Sequence, residues 1–222
     1  MYSIHYILKK ILFPRSCIGC TTPDYILCSR CLNLLPISYQ VRTHTDHKEI
    51  HIFPYTHKKI VKIIWELKYK NNIELRDILF SRIGPILKKH IDTHIKEIKN
   101  GIFLISVPKI KNDALKKRDF DHGKLLVQAL LPYLLDHTST VLEGYLIKHD
   151  ISRQATQKKR TERIKNMKGA ISPTNKLLVL KPTQHPLIII DDVTTTGATR
   201  NEMIRVLKPY FSGDILFIAL AH

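Results

Sequence analysis

Two adjacent carboxylates, Asp191 and Asp192, are followed at once by the small, hydroxyl-rich run Val193-Thr194-Thr195-Thr196-Gly197-Ala198-Thr199. Before them stands Leu187-Ile188-Ile189-Ile190, a nearly unbroken β-branched run that reads as a strand buried on both faces. After them Met203, Ile204 and Leu207 recur at helical spacing, which predicts a helix from Ala198 to Tyr210. A strand, a hydroxyl-rich turn and a helix N-terminus together make an anion site. The first N–H groups of a helix have no intrahelical partner, and the dipole favours negative charge there. Threonine hydroxyls add donors, and Gly197 permits close backbone approach. The acidic pair would repel a bare phosphate, so it suits a ligand that also brings hydroxyls or Mg²⁺, a hard cation that takes oxygen ligands. A sugar phosphate with a diol meets these demands. The plainer alternative is a helix cap after a buried strand that happens to carry two aspartates. No Gly-Lys-Ser/Thr follows the turn, so this is not a Walker A loop.

A second constellation lies near the N-terminus. Cys17-Ile18-Gly19-Cys20 and Cys28-Ser29-Arg30-Cys31 hold every cysteine of the chain. Two C-x2-C pairs at this separation form knuckles that can meet around one tetrahedral Zn²⁺, with Cys17, Cys20, Cys28 and Cys31 as ligands. Four cysteine ligands leave no open position, so such a site is structural. Two disulfides or free thiols are the alternatives, the former disfavoured without a secretion signal.

Composition sets the outer limits. The chain has 222 residues, enough for one α/β domain and a small module, and 44% of them are hydrophobic. No apolar run approaches the length of a spanning helix, so no transmembrane segment is expected. Met1 to Phe13 mixes Ile and Leu with His5, Lys9 and Lys10 and lacks a clean apolar core; it reads as an amphipathic helix, not a signal peptide. A cytoplasmic location is the expectation. The net charge of +17 points to a polyanionic partner, against the alternative of a merely solvated basic surface.

The elements that must position these residues can be read in order. Residues 1–40 form the cysteine module, closed near Pro36, and residues 41–222 the main domain. Val41 to Pro54 is polar and His-rich and reads as a linker or strand turn, with His44, His47 and His51 at the surface. Ile60, Val61, Ile64 and Leu67 predict a helix in which Trp65 is a core or domain-contact residue. Ile73 to Ile98 continues helically, interrupted near Gly84-Pro85. Ile102 to Lys109 is a second buried strand ending in a basic turn; a helix runs to about Leu135, and Val141 to Lys148 is a third strand. Arg153 to Lys168 is a basic run, Leu177 to Leu180 a weak strand, and Ile215 to Leu220 the last one. Alternating strands and helices mean an α/β fold on a parallel sheet, whose ligands sit outside the carboxyl ends of the strands.

Ile188 to Thr199 resembles the phosphoribosyl-pyrophosphate loop of type I phosphoribosyltransferases. The resemblance implies a phosphoribosyltransferase-like sheet flanked by helices, with Asp191 and Asp192 on the ribose hydroxyls and Mg²⁺. It also implies that Thr194, Thr195, Thr196, Gly197, Ala198 and Thr199 bind the 5′-phosphate. An N-terminal four-cysteine module before such a domain is similar to the ComF family of competence proteins. Ser106-Val107-Pro108 resembles that family's Val-Pro-Val-Pro turn, which makes Pro108 and Lys109, with Arg118 of Lys117-Arg118-Asp119-Phe120-Asp121-His122, candidates for the pyrophosphate. Gln154, Arg163, Asn166 and Gly169-Ala170 also match. The sequence departs from the family at Asp119, Asp121 and His122, where the family reads Gly, Asn and Gln, and at Lys109, Ile110 and Ile171.

What the family implies is a role in natural transformation, handling imported single-stranded DNA on the cytosolic side beside other DNA-uptake proteins. Lys158, Lys159, Arg160 and Arg163 are candidate nucleic-acid contacts, and Tyr55, Trp65, Tyr69 and Phe120 lie near basic clusters where bases could stack. The alternative is an active phosphoribosyltransferase for a base or amine, with catalysis mainly electrostatic; no catalytic residue is identifiable. A transcriptional regulator is a weaker reading, since no helix-turn-helix signature is present.

Overall fold

The structure, a computed structural model, describes residues 15–96, 101–110, 121–149 and 168–222. Among them, eight strands and six α-helices alternate in the order α1 (Ser29–Asn33), β1 (Gln40–Thr43), β2 (Lys48–Phe53), α2 (Lys58–Lys70), α3 (Ile73–His94), β3 (Ile102–Ser106), α4 (His122–Leu130), β4 (Ser139–Val141), β5 (Leu146–Lys148), β6 (Ile171–Pro173), α5 (Asn175–Leu178), β7 (Leu187–Val193), α6 (Ala198–Leu207) and β8 (Ile215–Ala221). A 3₁₀ turn, Leu131–Leu134, extends α4. The main sheet has the order β1-β2-β8-β7-β3-β4 and is parallel except for the edge strand β1; β5 and β6 form a separate antiparallel pair. The chain is therefore α/β, with a mostly parallel mixed sheet flanked by helices.

Strand β7 lies at the centre of this sheet because its side chains can be buried on both faces. Ile188 and Ile190 join a core with Leu216 and Ile218 of β8 and the inner faces of α2, α3 and α4. Leu187 and Ile189 point the other way, into a core with Phe217, Met203 and Leu207. This alternation follows from the two-residue period of a strand. Register is explicit on both sides: Ile188 pairs with Leu104 of β3, and Ile190 with Ile218 of β8.

The cysteine module packs on the same core. Cys17, Leu27, Cys31 and Leu35 are buried together with residues of α3, and the Arg82 side chain donates to the carbonyls of Leu32 and Leu35. Among the described residues no helix is long and apolar enough to cross a membrane.

Several local expectations are corrected. Residues 41–54 are not a linker: β2 is buried and pairs in parallel with β8, Ile50 opposite Ile218. His47 and His51, expected at the surface, are 8% and 2% exposed. Trp65, expected in the core or at a domain contact, is 48% exposed. Helix α3 runs unbroken through Pro85. The stretch 141–148 divides into β4 and β5, which belong to different sheets, and 177–180 is the end of a short helix, not a strand. Met1 to Phe13 and Arg153 to Met167 lie outside the described residues.

Candidate functional site

Topology selects the place where a ligand can enter. From β3 the chain crosses through α4 to β4 on one side; from β7 it crosses through α6 to β8 on the other. β3 and β7 are neighbours, so a crevice opens between the loops at their carboxyl ends. One of those loops is Val107-Pro108-Lys109 and the other begins with Asp191 and Asp192. They face each other across a cleft of about 240 Å³, closed by Lys68 and Tyr69 of α2, His122 of α4 and Lys148 of β5.

Strand alternation sends the two carboxylates to opposite faces. Asp192 shares the face of Ile188 and Ile190 and meets α2 and α4. Its Oδ2 lies 2.9 Å from Lys68 Nζ and 3.4 Å from His122 Nε2. That buried oxygen accepts no aligned hydrogen bond, so charge attraction holds the pair. Burial alone would raise its pKa, but Lys68 and His122 outweigh it and hold Asp192 below the ordinary carboxylate range. Asp191 shares the face of Leu187 and Ile189. Burial, reinforced by the negative charge of Asp192 and only partly offset by Lys148, pushes its pKa up to about 8. Of the two, Asp191 is therefore the one that holds a proton more tightly. Lys68 is raised because Asp192 outweighs its burial, whereas burial lowers both Lys148 and His122, the latter to a neutral imidazole at pH 7. The pair is thus almost enclosed, not set at the solvent edge: Asp191 is 9% and Asp192 5% exposed.

The hydroxyl loop continues from this pair without lining the cleft itself. Thr194 is anchored by its N–H to the Ala221 carbonyl at 3.0 Å, and its own carbonyl accepts from His222 Nδ1 at 3.1 Å. Thr196 Oγ1 accepts from Ala198 N at 3.3 Å. The N–H groups of Thr195, Thr196, Gly197 and Thr199 find no acceptor among the described residues. Gly197 caps α6 with φ +71°, a conformation that favours glycine. A Cβ there would also lie 2.8 Å from Arg200 Cζ, because the guanidinium fills the adjacent space.

Arg200 is held by Glu49, a carboxylate 1% exposed in β2. Glu49 Oε1 accepts from His51 Nε2 at 2.7 Å, and Oε2 lies 3.2 Å from His44 Nε2. Burial would raise the Glu49 pKa, but His51 and Arg200 hold it far below the carboxylate range. His51 in turn stacks on His222 at 4.4 Å between centroids. A buried polar network thus supports the underside of the loop.

The four cysteine sulfurs lie within 4.8 Å of one another. Sulfurs about 2.3 Å from one tetrahedral ion are separated by about 3.8 Å. The Cys17–Cys28 and Cys20–Cys28 separations, 3.7 and 3.6 Å, fit that edge. Gly19 N and Cys28 N donate to Cys17 Sγ at 3.4 and 3.3 Å, as metal knuckles require. A Cβ on Gly19 would strike Cys31 Sγ at 2.6 Å, so glycine is needed for closure. The donor set and its geometry fit a single thiophilic ion.

Of the residues expected to act, the structure brings together Asp191, Asp192, Pro108 and Lys109, and separately the four cysteines. Arg118, Lys158, Lys159, Arg160 and Arg163, with Gln154, Asn166 and Phe120, lie outside the described residues. Gly169 N donates to Glu202 Oε1 at 2.6 Å, tying that segment to α6. Lys68, Tyr69, Lys148, Glu49 and Arg200 were not singled out for the ligand site by sequence. Only the position of Arg200, in the first turn after Gly197, gave a local signal. In comparisons with known proteins, no family model matches the chain, and no curated protein matches it.

Asp191 titrates higher in the fold than in the unfolded chain, so its contribution to stability is complete in acid and is lost as pH rises through about 8. Asp191→Asn keeps the shape without the charge. Its melting temperature should exceed that of the wild type at about pH 9, with the gap closing towards about pH 5. Parallel melting curves across that range would refute the buried, protonated carboxyl.

Proposed function

We propose that the cleft, together with the hydroxyl loop beside it, binds a ribose 5-phosphate ligand of the phosphoribosyl pyrophosphate type, on a scaffold of the type I phosphoribosyltransferase kind, in a competence protein of the ComF kind. One observation carries this reading. An acidic pair at the end of a central parallel strand runs directly into a loop of unpaired N–H groups at a helix N-terminus, beside the point where strand order reverses. The loop from Thr194 to Thr199 takes the 5′-phosphate, Asp191 and Asp192 accept from the ribose hydroxyls, and Pro108 and Lys109 face the pyrophosphate. Asp192 Oδ2, now beside Lys68 Nζ at 2.9 Å, is the oxygen that would meet Mg²⁺ if the lysine gave way, and the ion would neutralise pyrophosphate charge. With Mg²⁺ present, calorimetry should register phosphoribosyl pyrophosphate binding. Asp191→Asn combined with Asp192→Asn should weaken it at least tenfold, since the hydrogen bond to the charged Asp192 alone contributes about 1.5–3 kcal/mol. Absence of heat and of any thermal shift at millimolar ligand would leave the loop a structural turn.

In the cell, the reading is handling of imported single-stranded DNA on the cytosolic side during natural transformation. The +17 charge supports a polyanionic partner. Deleting the gene from a transformable host should sharply lower recovery of transformants from added DNA. Complementation by the wild type but not by the double Asn variant would tie the cleft to that role; unchanged recovery in the deletion strain would exclude it.

The four cysteines hold structural Zn²⁺ in this reading, because an all-thiolate tetrahedral set with no open position suits zinc. Freshly purified protein should contain one zinc per chain, and Cys28→Ser should lose it and lower the melting temperature. No zinc, or iron in its place at full occupancy, would overturn the assignment.

A further inference from the structure

Helix α2 buries one face and exposes large side chains on the other. Ile60, Ile63, Ile64 and Leu67 pack into the core. On the opposite face Val61, Trp65 and Tyr69 follow each other at four-residue spacing and are 38%, 48% and 39% exposed. Lys58 and Lys62 share that face and are exposed as well. Trp65 and Tyr69 stand 5.6 Å apart between ring centroids, and Lys70 Nζ lies 5.1 Å from the Trp65 ring. Val61, Trp65 and Tyr69 thus form an exposed ridge of large side chains, two of them aromatic. We propose that the exposed face of α2 is a stacking platform for single-stranded nucleic acid, with unpaired bases on Trp65 and Tyr69 and phosphates on Lys58 and Lys62.

Charge complementarity selects this occupant. Lysine is depleted from the cores of protein–protein interfaces, yet here Lys58 and Lys62 precede the aromatics on the ridge and Lys70 lies over Trp65. A membrane-surface helix needs a broad apolar face, and the broad apolar face of α2 is already turned into the core. A polyanion with open π-faces fits both halves of the pattern. Duplex DNA fits only one, because its bases stack on one another. The ridge also ends at the cleft: Tyr69, with the neighbouring Lys68, forms part of its wall. This inference rests on the reading of the protein as a handler of single strands, and it names the surface that makes the contact.

Trp65 is the only tryptophan of the chain, so its emission reports on this face directly. Titrating the full-length protein with a thymidine oligonucleotide should quench that emission saturably. An abasic strand of the same length keeps the phosphates without the bases, and should bind more weakly and leave the emission unquenched. By anisotropy of a labelled strand, Trp65→Ala and Tyr69→Ala should each weaken binding about tenfold. Trp65→Phe should restore most of the loss, with the melting temperature unchanged because the side chain is exposed. Replacing Lys58 and Lys62 together by Gln should lower the salt dependence of binding. Strand binding that leaves Trp65 emission unchanged, or full affinity in Trp65→Ala, would overturn the platform while the single-strand reading stands. No strand binding at all would remove both. Quenching or a blue shift caused instead by anionic vesicles, or by raising protein concentration alone, would assign the face to a membrane or to a second copy and overturn the proposal.

Discussion

Two carboxylates at the end of a strand buried on both faces impose the strongest constraint in this molecule. Ionising both in so enclosed a place is prohibitive, because burial removes the water that would stabilise each charge. The chain meets the problem in two ways. Asp191, with its pKa pushed up by burial and by Asp192, gives up its proton far less readily. Asp192 keeps its charge and takes Lys68 and His122 as partners, one from α2 and one from α4. Two helices that follow different strands are thereby drawn to one atom, and the cleft is the space left between them. The same alternation that packs Ile188 and Ile190 against one core and Leu187 and Ile189 against the other gives the adjacent aspartates different environments and different protonation.

The loop that follows depends on a second buried charge. Glu49 is almost inaccessible and would be intolerable alone, but it is matched by Arg200 and His51. Removing one partner of such a pair costs about 3–5 kcal/mol, so the network is held together by the penalty for breaking it more than by its net contribution. Its consequence is positional. Arg200 lies against Gly197, where any side chain would collide, and His222 holds the Thr194 carbonyl. The underside of the loop is tied to the protein, while the N–H groups of Thr195, Thr196, Gly197 and Thr199 have no acceptor among the described residues.

What was legible in the sequence was whatever rests on local pattern. The run Leu187 to Ile190, the acidic pair and the helical period after Ala198 each carry their own signal, and the structure has the predicted strand, turn and helix there. The cysteine knuckles were equally legible, since spacing alone brings their sulfurs within reach. The misreadings share one cause, side chains whose burial is decided by distant partners. β2 looked polar because Glu49 and His51 alternate with Ile50 and Ile52, a pattern normally read as one wet face; here the polar face is buried against Arg200 and His222. Trp65 looked like core by its type, yet its position opposite Ile60, Ile63 and Leu67 puts it outside. Pro85 looked like a helix break, but packing on α3 overrides local propensity. Lys68 and Lys148 could not be found from sequence, because only the fold brings them to Asp191 and Asp192.

Helix α2 connects these features, because its two faces serve different ends. Lys68 turns inward to Asp192, while Tyr69, the next residue, stands at the mouth of the cleft and continues the outer row of Trp65. Lys68 is partly exposed, at 37%, so solvent screens its side of the pair and its own gain from the contact is small. Asp192 is enclosed and has far more to lose. A phosphate alone offers Asp192 nothing in exchange for Lys68, and its own charge would repel the carboxylate. A ligand that brings hydroxyl donors or a bound cation can replace the lysine and leave the carboxylate satisfied. Any group that displaced Lys68 would therefore have to bring hydroxyl donors or a cation of its own to leave Asp192 satisfied, and that lysine lies on the helix that carries the exposed aromatic row.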